Sequence, residues 1–442
     1  MRNSFVFAGI TGLVAIGFGL GTQGAKAKSV PQIPPNVNYA EHVAPILNAH
    51  CTTCHHVGAV APFSLVGYAE AKKQSANIAG ATEQKRMPPW KAVHGYGEFK
   101  DENILSATQL SILKSWAETG AKRGDPKKEP KAQVFSNDWD LGKPDLTLSA
   151  TKPFKLGAEG EDVYRNFVFD LKNTEPVYIT AMDVKPGNRK IVHHVIGFLD
   201  SGGQTIKLEA KNNDGQEGYT SAGGGIGTIP SGSLGGWAPG VTVRKTPPGT
   251  AFVVKPGTKI VMQVHYHKSG KEEVDQTKMG IYTTKTKPEK EVDIFWCANP
   301  AFRIPAGAND HKVAWRQSIP ADATIYSVMP HMHLLGKSMK AKITKDDGTE
   351  VPLVFVDKWD FNWQLVYALK EPLQVKKGWK LSVEAYYDNS DSNPFKTGKA
   401  VTWGEQTTDE MALLVVGYTS DTPVNISNQI KSRILDFVKG GG

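Results

Sequence analysis

The chain has 442 residues, enough for two or three domains, and 40% of them are hydrophobic, as in an ordinary globular protein. Its formal charge of +8 comes from scattered lysines with no basic block beyond residues 125–131, which argues against nucleic-acid binding and leaves encounter with acidic redox partners as the use of that charge. Three cysteines cannot build a disulfide framework for an exported chain of this size, so large cores or bound metal must stabilise it.

The N-terminus reads as an export signal. Arg2 supplies the positive end, residues 5–20 are apolar, and Ala25-Lys26-Ala27 is a small-x-small cleavage site. A signal peptide over 1–27 predicts a periplasmic or secreted protein, and its removal takes Arg2 and Lys26 but no acid, lowering the charge from +8 to +6. The apolar run is short for a membrane span; an uncleaved anchor is the alternative. No later segment approaches the length of a transmembrane helix.

Residues 28–35, "KSVPQIPP", form an extended, proline-broken lead. A small all-α domain is predicted over 36–124, where "YAEHVAPILNAH" and "SATQLSILKSWAETG" place apolar residues at helical spacing. Ser106 or Thr108 would cap the second of these helices, and Gly120 would stop it. Within this region Cys51-Thr52-Thr53-Cys54-His55 is a C-x-x-C-H haem attachment motif. The two thiols become thioethers and His55 an axial ligand of one covalent haem c. A zinc site would need a second cysteine pair, which is missing. For the sixth position Met87, in "KRMPPWKAV", is the one methionine available, and a thioether raises haem potential. His42, His50, His56 and His94 compete, although His50 and His56 lie too close to the motif to reach the far haem face. The region resembles a small class I cytochrome c domain.

Residues 125–137 read as a Pro- and Lys-rich linker. Beyond it, runs such as "VYITAMDV", "KIVMQVHYH" and "KLSVEAYY" are β-branched and aromatic, divided by Gly and Pro turns. This all-β pattern is too long for one sandwich and predicts two, over 138–290 and 291–438. The stretch "GGGIGTIPSGSLGGWAPG" (223–240) lacks the helix and lysine of a phosphate loop and reads as a long irregular loop. Cys297 reads as a buried small hydrophobe.

Histidines and methionines crowd into "VMPHMHLLGKSM" (328–339). In a strand, His331 and His333 would project from one face and could share a metal, with Met332 facing away and Met329 on their side at the edge. The adjacent pair His193-His194, in "RKIVHHVIGFL", points to opposite faces of a regular strand, so joint ligation requires a bulge or a strand end there. His265, in "VMQVHYHKSG", is a third candidate, and His267 shares its face. Met411, in "GEQTTDEMALLVVGY", is a soft donor near the C-terminus. Imidazole and thioether together suit copper better than zinc.

Four motifs, "IVHHVIGFL", "VMQVHYH", "MPHMHLLG" and "TTDEMALL", occur in the order of the ascorbate-dependent type II copper monooxygenases, the family of peptidylglycine α-hydroxylating and dopamine β-monooxygenases, which residues 138–438 therefore resemble. The resemblance implies two jelly-roll-like sandwiches, each with one mononuclear copper. It assigns His193, His194 and His265 to the electron-supplying copper, and His331, His333 and Met411 to the copper that binds oxygen and substrate. It implies hydroxylation of a C–H bond of a small-molecule substrate by O2, with electrons supplied one at a time by an external donor; the covalent haem, itself a one-electron carrier, is expected to replace or relay that donor. Departures bear on the substrate. Met329 stands where peptide-processing members carry an arginine that holds a substrate carboxylate, and Leu413 and Val415 stand for an asparagine and a tyrosine. A less polar substrate is expected. The rival readings are a non-catalytic haem and copper electron-transfer or copper-binding protein, and a zinc hydrolase, for which an H-E-x-x-H helix is missing.

Overall fold

The computed structural model describes residues 33–421 apart from 132, 136–138 and 222–224; the expected export signal lies outside the described residues. An N-terminal helical region precedes several β-sheets, a multidomain α+β architecture. Its helices run over Tyr39–Val43 continuing into Ala44–His50, then Tyr68–Lys73, Ser75–Glu83 and Ala107–Glu118. Tyr39, Val43 and Leu47 recur at helical spacing and meet Leu113 and Trp116 from the last helix in one small core. Ser106 is the cap of that helix: its hydroxyl accepts from the Gln109 N–H while the Gln109 side chain accepts from the Ser106 N–H. Gly120, at φ +86°, takes the left-handed turn that follows the helix end.

The segment expected to be a linker packs back on this region. Phe135 stacks on His56 at 4.0 Å, and the Gln133 amide donates to the Asn48 carbonyl. The helical region is also built into the β part. Ala92 and Phe99 pair with Val356 and Leu369 as isolated bridges, and both enter the C-terminal core. Trp90 meets Tyr367 edge-on at 5.1 Å.

The β part has two cores. The first lies between a five-stranded sheet, in the order Tyr219–Ser221, Val163–Asp170, Lys259–Tyr266, Val192–Asp200 and Gly232–Trp237, and half of an eight-stranded sheet. Lys259–Tyr266 is buried along its whole length, as befits a central strand whose apolar residues lie on both faces. The second core lies between the other half of the large sheet and His311–Ser318, Lys380–Tyr387, Gly336–Thr344 and Glu350–Val356. Here strict alternation sends Met339, Ala341 and Ile343, and opposite them Leu381, Val383 and Ala385, inward. The strand Lys290–Ala298 joins the halves of the large sheet, pairing in parallel with Thr250–Val254 and antiparallel with Leu413–Ser420. Part of the glycine-rich stretch read as a loop is a strand, Gly232–Trp237, paired with Val192–Asp200. Its glycines erase the period-two signal while leaving the backbone free to pair.

Arg165, fully buried on Val163–Asp170, fixes the turn at 212–218. Its guanidinium donates to both Asp214 carboxylate oxygens, at 2.6 and 3.2 Å, and to the carbonyls of Gln216, Glu217 and Gly218. Arg165→Leu removes the donor from three carbonyls at once. A loss of about 3 kcal/mol in unfolding free energy is expected, read as a lower urea midpoint.

Candidate metal centres

His194 and His265 face each other across the antiparallel pair formed by Val192–Asp200 and Lys259–Tyr266. A register shift between Val192 and His194 supplies the bulge that an adjacent histidine pair needs, and brings His193 to the same side. The His193 and His194 Nδ1 atoms are 3.2 Å apart, and those of His194 and His265 3.4 Å. Two nitrogens held about 2.0 Å from one ion lie roughly 3.3 Å apart at a tetrahedral angle. The three side chains therefore form a mononuclear metal site, consistent with copper. His267 lies just beyond the strand, exposed and outside the cluster.

The surroundings prepare these rings as ligands. Burial lowers the His193 pKa to about 3 and that of His194 well below its usual value, so both are neutral with a free lone pair. Asp162 accepts from His265 Nε2–H at 2.9 Å, which leaves Nδ1 turned to its partners. Thr407 donates to the same carboxylate oxygen, and Tyr164 stacks on the His265 ring at 4.3 Å.

His331 and His333 meet differently from the sequence expectation. The strand Ala323–His331 ends at His331, so His333 sits in the following turn rather than on the same strand. Glu410 makes that turn: its carboxylate accepts from the backbone N–H groups of His333, Leu335 and Met411 at 2.9, 2.7 and 3.1 Å. Burial pushes this carboxyl up to about 8 despite those donors. The two imidazole rings are 5.2 Å apart and perpendicular. The Gln364 carbonyl accepts from His331 Nδ1–H at 2.8 Å and the Asp409 carbonyl from His333 Nδ1–H at 3.2 Å, so both Nε2 atoms stay free. Burial lowers the two pKa values to about 4 and about 3. Met411 is buried and lines one pocket with His331, His333 and His194. Its carbonyl is fixed by the Tyr387 hydroxyl at 2.7 Å.

Met329, Leu413 and Val415, the positions at which this sequence departs from the peptide-processing pattern, line that same pocket together with Trp237 and Trp296. Glu405 lines it as well, its carboxyl raised to about 7 by burial. Met332 is in the core, facing away as expected. The segment 358–365, "KWDFNWQL", escaped the sequence reading; its three aromatics, with Asp360 and Gln364 interleaved, are the signal that a loop here had work to do.

In the helical region Cys51 and Cys54 are free thiols, and burial pushes Cys51 up to about 12. Such a thiol is a poor zinc or redox thiolate, which fits a pair capped as thioethers. His55 Nδ1–H donates to the Phe63 carbonyl at 3.2 Å, leaving Nε2 for a haem iron. Trp90 Nε1, three residues after Met87, is buried without a partner among the described residues. His50 is held by Asn103 and Gln109, His56 by the Thr52 carbonyl, and His42 accepts from the Asn38 N–H. His94 is exposed beside Glu102.

Residues 311–433 match the family model described as copper type II ascorbate-dependent monooxygenase, C-terminal domain. The chain thus carries a copper-binding oxidoreductase domain of that family. Among solved structures it is similar to PNGase F, a glycosylasparaginase from Flavobacterium meningosepticum, at 13% identity over 63% of this chain and 97% of the other, with a TM-score of 0.27. It is similar also to the major capsid protein P2 from bacteriophage PM2, at 10% identity over 63% and 98%, with a TM-score of 0.24. Neither likeness is close enough to bear on function.

Two predictions follow from the buried groups. His331 and His333 have folded pKa values below their unfolded ones, so stability is complete above pH ~6.5 and falls as the pH drops towards their folded values. Metal-free protein should lose on the order of 1 kcal/mol per pH unit for each such histidine, measured by urea unfolding between pH 7 and 5, and His331→Gln should reduce the slope. Glu410→Ala strips the acceptor from three buried N–H groups, each worth about 1–3 kcal/mol. Glu410→Ala should therefore unfold at a lower urea concentration than the parent protein.

Proposed function

We propose that the chain is a copper-dependent monooxygenase that hydroxylates a C–H bond of a small, weakly polar substrate with O2. The observation that carries the reading is the meeting of His331, His333 and Met411 on one apolar pocket, inside the stretch that matches the copper monooxygenase domain. His193, His194 and His265 would hold one copper; His331, His333 and Met411 would hold the other. Cys51, Cys54 and His55 would hold a single covalent haem c, with Met87 as sixth ligand. These groups supply one-electron transfer and oxygen activation, for an overall reaction in which RH, O2, two electrons and two protons give ROH and water. One-electron supply from an external redox protein or small reductant would enter at the haem.

The protein's own part is orientation and exclusion. Asp162, Gln364 and the Asp409 carbonyl each accept a hydrogen bond from one imidazole N–H and so aim the other nitrogen. Trp237, Trp296, Met329, Leu413 and Val415 make a wall on which a substrate carboxylate finds no cation, so the bound C–H group should belong to an apolar body. The Glu405 carboxyl, near half-ionised at neutral pH, can hold one of the required protons in the same pocket.

We read the chain as a cytochrome c domain over 36–124 and two jelly-roll-like copper domains over 138–290 and 291–438. Three apolar cores support the division, although Ala92 and Phe99 of the helical region join the C-terminal core and Val292 joins the first β core. Export to the periplasm rests on residues 1–27. No helix among the described residues is long and apolar enough to cross a membrane.

The test is a metal count joined to O2 consumption. Purified protein should hold two coppers and one haem, and show O2 uptake that depends on an added apolar substrate. His331→Ala should keep the haem and one copper and abolish the uptake. Full copper and haem loading with no uptake across a broad substrate screen would instead make this an electron-transfer or copper-binding protein.

A further inference from the structure

The segment 358–365 touches residues of both histidine clusters. It runs between the strands Glu350–Val356 and Tyr367–Val375. Trp359 Nε1–H donates to the His333 carbonyl at 3.0 Å, and the Gln364 carbonyl accepts from His331. The Gln364 amide also donates to the Phe361 carbonyl at 3.1 Å, which closes the turn on itself. Trp363 lies against Gly240 of the N-terminal β part, where an added Cβ would come within 3.0 Å of the indole. Lys91 of the helical region pairs with Asp360 at 3.2 Å. The bridges from Ala92 to Val356 and from Phe99 to Leu369 grip the chain on either side of the loop.

At its centre is Phe361. Its ring stacks on His193 at 4.8 Å and 15°, and stands edge-on to His333 at 5.9 Å and 83°. His193 belongs to one ligand cluster and His333 to the other, and the clusters sit on different β cores. A single aromatic side chain therefore touches both clusters. An aromatic pair of this kind contributes about 0.5–1.5 kcal/mol beyond area burial, enough to favour one arrangement over a hydrated gap.

We propose that Phe361 is a positioning residue that sets the separation of the two metal centres, stacking on the His193 ring while meeting the His333 ring edge-on. The inference rests on reading both clusters as copper sites. It gives the helical region a second task, because Lys91 and the two flanking bridges fix the loop that carries Phe361.

The experiment uses the full chain with its haem, loaded with two equivalents of Cu(II), and frozen-solution electron paramagnetic resonance. Wild type should show dipolar broadening between the two coppers, measured against His331→Ala, which holds one. Phe361→Ala should lose that broadening while keeping two coppers and an unchanged haem spectrum. Phe361→Leu, the milder change should alanine impair folding, should lose part of it, and Phe361→Tyr should retain it. Broadening in Phe361→Ala and Phe361→Leu equal to that of wild type would overturn the proposal. Two bound coppers without broadening in wild type would overturn it too and leave the copper reading intact. Failure of wild type to bind a second copper would remove the reading beneath it.

Discussion

Five imidazoles, from His193, His194, His265, His331 and His333, converge in a region that burial has made hostile to charge. Everything else in the β part serves to hold them there. A neutral imidazole has one donor and one acceptor nitrogen, and here the donors of His265, His331 and His333 are taken by oxygen atoms of the protein. Their acceptors are left pointing at one another or into a pocket walled by apolar side chains. Lone pairs so placed repel, and desolvation opposes protonation of His193, His194, His331 and His333. A cation with soft-ligand preference would remove that conflict, and Met411 lines the same pocket as His331 and His333.

The same constraint explains local features that look irregular by themselves. A regular strand cannot present His193 and His194 together, and the ladder breaks register there. A regular strand could present His331 and His333 together, yet the strand stops and a turn is used instead. The turn lets one side chain, Glu410, bind the N–H groups of His333 and Met411 at once, so two residues that line the pocket share a single anchor. Strand geometry alone would have fixed His333 without reference to Met411, which lies far away in sequence.

How much of this was legible in the sequence follows from the range of the interactions. The helix cap at Ser106, the alternation of Met339, Ala341 and Ile343, and the bulge demanded by His193-His194 are local, and were readable from neighbouring residues. The grouping of His265 with His194 required pairing between strands seventy residues apart, and came from motif resemblance rather than periodicity. Three features were not legible. The strand Gly232–Trp237 is written in glycine, which has no side chain to show alternation. The docking of residues 90–100 on the C-terminal core uses ordinary apolar residues, Ala92 and Phe99, that would serve equally in a core of their own. The role of Phe361 depends on two histidines from different cores meeting one ring, which no window of sequence contains.

That docking changes what the helical region can be. A cytochrome-like unit on a flexible linker would deliver electrons by chance encounter, at a rate set by linker length. Here backbone bonds from Val93 to Phe355, from Lys100 to Ala368 and from Lys370 to Glu98 splice a segment of the helical region into the sheet edge, and Phe135 and Gln133 fold the would-be linker back on the helices. Three backbone bonds and the Trp90, Phe99 and Tyr367 cluster are incompatible with free tumbling. The segment that follows Met87 is therefore held at a fixed distance from Asp360, and through Phe361 from both ligand clusters. For a haem whose axial ligand is the start of that segment, supply of electrons to the copper sites would be a property of the fold rather than of diffusion.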